Sequence, residues 1–108
     1  MRTDQSFSVA WARYVDELPA GPEMDALVSD RVMRIPPDRR SAERYSSDEA
    51  ASELVKRKLG EMGLDSVSDG PHPAWQVLVI GSLSRPSTAR AETRPLALCR
   101  AALKALTW

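Results

Sequence analysis

Breakers constrain this chain more than any other feature. Prolines at positions 19, 22, 36, 37, 71, 73, 86 and 95, with glycines at 21, 60, 63, 70 and 81, punctuate 108 residues. Proline removes a backbone donor and clashes with the preceding turn, so no long helix or wide sheet survives this spacing. What fits is a set of short elements around one core, and 108 residues leave no room for a second sizeable one. With 43% hydrophobic residues the chain has enough apolar side chains to fold. No apolar run approaches the roughly 18 residues of a membrane span. The polar start Met1-Arg-Thr-Asp-Gln5 lacks the apolar stretch of a secretory signal, which points to a cytoplasmic protein.

Between the breakers, hydrophobic spacing assigns the elements. In Gln5–Leu18, the residues Phe7, Trp11, Tyr14, Val15 and Leu18 recur every three or four positions and form one helical stripe. Pro19 to Pro22 stops that helix, and Pro22 suits the first turn of a second. Glu23 and Asp25 favour the positive end of its dipole, while Met24, Leu27, Val28, Val32 and Ile35 supply its buried face up to Pro36-Pro37. The polar segment from Pro36 to Ser47 reads as a long loop. Ser46-Ser47-Asp48-Glu49 fits a capping box with Ser46 as the cap, starting a third helix that carries Ala50, Ala51, Leu54, Val55, Leu59 and Met62 inward.

Leu64–Val67 predicts a short strand and Ala74–Ile80 the best strand of the chain. Trp75, Val77 and Val79 fall on one side of it and Leu78 and Ile80 on the other, so at least one end is expected to be covered on both faces. A return strand is expected near Ser82–Ser84 or Ala89–Ala91. A last helix runs from about Thr93, a good cap, to Leu106, with Leu96, Cys99, Ala102, Leu103 and Leu106 as its buried stripe. The implied fold is α+β: a small single-domain helix/short antiparallel sheet/helix sandwich with an added N-terminal helix. Residues 1–16 are the helical extension and 17–108 the domain.

Fifteen Lys/Arg balance fifteen Asp/Glu, which argues against bulk electrostatic binding to nucleic acid. The balance is uneven along the chain: residues 1–54 carry seven positive and eleven negative groups, and residues 55–108 eight and four. Catalytic chemistry finds few candidates. The single histidine, His72, sits between two prolines in a turn, and the single cysteine, Cys99, lies on an apolar helical stripe where a thiol is inert. No acidic set has metal-ligand spacing and no Gly-rich phosphate loop occurs, so the expectation is a non-enzymatic protein without cofactor or metal.

Two groups of residues suit binding. The aromatic stripe Phe7, Trp11 and Tyr14, with the loop arginines Arg39, Arg40 and Arg44, offers the residue types that dominate protein interfaces. Arg85, Arg90 and Arg94 cluster before the N-terminus of the last helix, where guanidinium groups and free amides suit an anion such as a nucleotide, with Tyr45 or Trp75 as a stacking platform.

Three segments resemble the phage ABA sandwich domain family of small phage and prophage proteins. They are Leu18 to Met33 with its Gly-x-Glu-Met/Leu-Asp pattern, Tyr45-Ser-Ser-Asp48 with the Ala50–Met62 helix, and Trp75–Val79 joined to Thr93–Leu103. The resemblance spans about residues 17–106. Two positions depart from it: Arg34-Ile35 stands where the family commonly has Gly-Trp, and Ser52 where it often has tryptophan. The resemblance implies a phage-encoded accessory protein. The leading expectation is a binding protein that blocks a host defence factor, such as a CRISPR effector, by protein contact. The alternatives are a sponge for a nucleotide immune signal and a structural phage component, with homo-oligomerisation open in each case.

Overall fold

The computed structural model describes the backbone of residues 2–36, 38, 43–71, 73–81 and 86–106, with side chains from residue 9 onward. Four helices and three strands follow in the order α1 (Arg2–Glu17), α2 (Pro22–Arg31), α3 (Glu49–Glu61), β1 (Leu64–Asp69), β2 (Trp75–Gly81), β3 (Ser87–Ala91) and α4 (Arg94–Ala105). The fold is α+β with an N-terminal helix and a three-stranded antiparallel sheet in the order β1-β2-β3. The return strand forms around Ala89–Ala91; the other expected location, 82–84, lies outside the described residues.

Alpha-helix α4 is the centre of the molecule. Leu96, Ala97, Leu98, Cys99, Ala101, Ala102, Leu103 and Ala105 are all buried, so burial runs nearly around the helix and not along one stripe. Within the helix only Arg94, Arg100 and Lys104 reach solvent. A helix buried on all sides needs partners on all sides: the sheet packs against it from one direction, and α1, α2 and α3 pack from the others. Its alanines let the neighbouring elements approach closely. Thr93 caps it as expected, its hydroxyl accepting from the Leu96 amide at 3.5 Å.

Two local signals resolve differently from the sequence reading. The cap of α3 is Asp48, which accepts from the Ala50 amide at 3.2 Å, and not Ser46. Ser46 is fully buried and serves a tertiary contact described below. Alpha-helix α2 ends at Arg31, short of the proline pair, because Arg34 adopts a φ of 56° and turns the chain out of the helix first. A non-glycine residue thus holds a left-handed position that glycine adopts most readily.

The sheet is covered on one side. Alternation puts Val77, Val79, Ala89 and Ala91 against α4, all buried. On the reverse side Val67 is 56% and Ile80 38% exposed, with Leu78 half-buried between them. The apolar residues on both sides of β2 therefore do not mean that β2 is covered on both faces. Gly70, just after β1, has a φ of 146°, and a Cβ there would stand 2.9 Å from the Trp75 Cα; glycine lets the connection fold tightly onto the start of β2.

Candidate functional site

Alpha-helix α1 is fastened to the domain by its aromatic stripe. Val15 and Leu18 are buried in the core. The Trp11 indole N–H donates to the Leu103 carbonyl at 3.1 Å. That carbonyl lies in the last turn of α4, so the bond ties α1 to the end of the central helix. The Arg31 guanidinium stands 4.6 Å from the centroid of the same indole, in cation–π geometry. The Tyr14 ring lies 5.9 Å from it at an interplanar angle of 35°.

Tyr14 is 43% exposed, and its hydroxyl donates to the Glu23 carboxylate in the first turn of α2. That bond, with smaller contributions from burial and the negative charge of Glu23, raises the phenol above its ordinary value and keeps it protonated. Val9 is 62% exposed, and its place two residues before Trp11 turns it to the opposite side of the helix. Where α1 meets α2 the surface thus presents the exposed Tyr14 and Arg31 around a half-buried indole.

Arg44 lies in the segment that precedes α3. The turn after it docks on the start of α2 through Ser46: the Ser46 amide and hydroxyl both donate to Asp25 Oδ1, at 2.9 and 2.6 Å, and the Gly21 amide donates to Ser46 Oγ at 3.1 Å. This anchor leaves Arg44 exposed and buries Tyr45 to 2%. Of the residues expected to bind a partner, Trp11, Tyr14 and Arg44 are carried by α1 and by the turn on α2. The side chain of Phe7, and Arg39 and Arg40 entirely, lie outside the described residues.

The anion site expected from Tyr45, Trp75, Arg85, Arg90 and Arg94 is not assembled among the described residues. Tyr45 is a core residue and its ring cannot stack on a ligand, because the Ser46 anchor pulls it inward. Trp75 is half-buried against the core at the start of β2. Arg94 is already occupied: its guanidinium pairs with Glu49 and Glu53 at 2.9 Å each, and Nε donates to Ser68 Oγ at 3.4 Å. These bonds hold the Glu53 carboxyl below its ordinary range. An anion at Arg94 would have to displace two carboxylates. The start of α4 offers little else, with Thr93 capping it and Pro95 lacking a donor. Arg90 projects on the open side of the sheet, away from Arg94; Arg85 lies outside the described residues.

A shallow depression of about 330 Å³ runs along the β3 edge, lined by Asp16, Gln76, Thr88, Ala89, Arg90 and Lys104. Lys104 pairs with Asp16 at 2.9 Å across it. Sequence reading passed over Arg100, which ties this corner together by donating to the Arg90 carbonyl at 2.8 Å and to the Leu18 carbonyl at 3.0 Å. It fastens the end of α1 to the edge of the sheet.

Cys99 is fully buried, and desolvation above all, with Asp25 adding to it, pushes its thiol far above the ordinary range. His72 lies outside the described residues. Among the described residues no group of three or more His, Cys, Asp or Glu is placed to hold a metal ion, and no helix is long and apolar enough to cross a membrane. No family model, curated protein or solved structure matches the chain.

Proposed function

We propose that the protein is a non-enzymatic binding domain that grips a partner protein with the outer surface of α1 and α2. One observation carries the reading: the exposed Tyr14 and Arg31 flank the half-buried Trp11 where α1 meets α2, an aromatic–guanidinium cluster at the surface. Trp, Tyr and Arg are the side chains that dominate binding hot spots. Here the Leu103 carbonyl and the Glu23 carboxylate hold two of them in place, so little side-chain freedom remains to be lost on binding. The resemblance to small phage domains supplies the class of partner: a host antiviral defence protein such as a CRISPR effector, met in the cytoplasm of the infected bacterium.

The test pairs the wild-type protein with the double variant Tyr14→Ala/Arg31→Ala, both at exposed positions, as baits in bacterial lysate. Each is also expressed in a host with an active defence system, and phage plating is scored. The expected result is a partner retained by the wild type and at least about tenfold less by the variant, with plating restored only by the wild type. Equal retention by both baits, or none above background, refutes the reading. A thermal shift with millimolar cyclic nucleotide and no protein capture would instead assign the sequestering of a nucleotide signal.

A further inference from the structure

The open side of the sheet carries a pattern of its own. Strand alternation places Asp65, Val67 and Asp69 of β1, Gln76, Leu78 and Ile80 of β2, and Thr88 and Arg90 of β3 on this one face. The register arranges them in rows across the strands: Asp69–Gln76–Arg90, then Val67–Leu78–Thr88, then Asp65–Ile80. One margin of the face is therefore acidic, the middle apolar and the other margin basic. Nothing among the described residues covers it, and α4 packs on the reverse side.

We infer that this face pairs with the same face of a second copy, about a two-fold axis parallel to β2. Charge complementarity selects both the partner and the axis. Rotation about the strand direction exchanges the margins but keeps each row at its height. Asp69 of one copy then meets Arg90 of the other, twice, and Leu78 meets Leu78 at the centre. A two-fold axis running across the strands would instead lay β1 on β1 and bring Asp65 of one copy against Asp69 of the other. Aligned sheets pack about 10 Å apart with a twist near 30°, a gap that a long arginine side chain bridges to a carboxylate. An isologous contact of this kind closes on itself and stops at a dimer.

Area sets the strength. Three strands at about 4.8 Å spacing and six residues at about 3.3 Å give a face of roughly 14 by 20 Å, or about 280 Å². That is well below the roughly 800 Å² per partner of a standard stable interface. A contact of this size gives a weak, reversible dimer that concentrated protein is needed to populate. The cluster of Tyr14 and Arg31 lies on α1 and α2, outside the sheet face used by the dimer. If the binding surface proposed above is correct, the assembly is a bivalent binder.

Sedimentation equilibrium between about 10 µM and 1 mM tests the inference, with thermal melts to show that each variant folds. The wild-type mass should rise from 11.9 kDa toward twice that value. Asp69→Arg and Arg90→Asp should each weaken association at least about tenfold, and the exchange of both in one chain should restore it to within about threefold of wild type. Ile80→Lys should abolish it. A wild type that stays monomeric at 1 mM, single variants that associate like wild type, or an exchanged double variant that stays monomeric would each overturn the dimer. Loss of capture of a foreign protein by Ile80→Lys, with a monomeric wild type, would assign the face to that partner and also overturn it. The mass measurement needs no ligand, so its failure is separable from failure of the α1–α2 surface.

Discussion

Replacing Ser46 by alanine removes one oxygen and should cost far more than a surface serine is worth. Ser46 is fully exclude from solvent; its hydroxyl donates to Asp25 and accepts from the Gly21 amide. In Ser46→Ala the Gly21 amide loses its acceptor, and Asp25 keeps only the Ser46 backbone donor. A hydrogen bond to a charged group contributes about 1.5–3 kcal/mol and a neutral one about 0.5–1.5 kcal/mol. Partial hydration of the half-exposed Asp25 recovers some of this, so the expected loss is about 2 kcal/mol. For a domain of this size that lowers the melting temperature by roughly 8–10 °C.

Ser47→Ala, one position on and exposed, should stay within about 0.5 kcal/mol of wild type. Chemical denaturation of Ser46→Ala, Asp25→Ala and the double variant completes a thermodynamic cycle. Because the two side chains share one bond, the double variant should be less destabilised than the sum of the singles by at least about 1 kcal/mol. A Ser46→Ala variant indistinguishable from Ser47→Ala, or strict additivity in the cycle, would refute the anchor and with it the reason that Tyr45 is buried.

Three further outcomes follow from the packing and the charges. Asp48→Ala should cost about 1 kcal/mol by uncapping α3, measured by urea denaturation. Leu98→Ala should cost about 3–4 kcal/mol, since Leu98 is 1% exposed, whereas a helix with only one buried stripe would lose about 0.5 kcal/mol there. Glu53 has a folded pKa held below its ordinary 4.5 by Arg94, so its contribution is present above pH 4.5 and disappears as the pH falls through the lower folded value. Its half-exposed side chain limits this to below about 1 kcal/mol. Melts from pH 6 to pH 3 should therefore show a slightly flatter acid limb in Glu53→Gln, with the difference shrinking in high salt.

The local punctuation was legible. Proline and glycine placed every element within a few residues, because what they forbid depends on the backbone of the residue itself and its nearest neighbours. The helix spacing in α1 and α3 and the strand alternation in β2 were legible for the same reason. The cap of α3 was not: Ser46 and Asp48 are both good caps, and the choice fell to a tertiary competitor, Asp25, that claims Ser46. Of the expected binding residues, Trp11 and Tyr14 come together because helical spacing alone puts them on one surface. Tyr45, Arg90 and Arg94 do not, because their neighbourhoods depend on which elements pack around them.

The sequence by itself determined the inventory: an α+β domain of short helices and strands, a Thr93 cap, and an aromatic stripe near the start. Periodicity and backbone sterics act over a few residues and can be read along the chain. Only the tertiary structure decided what each side chain faces. It buried α4 on nearly every side, closed Arg94 between two carboxylates, and left the Leu78 side of β2 open. Apolar alternation says that a residue has two faces to choose from; whether a second layer covers the outer one depends on chain-distant packing that no local pattern encodes.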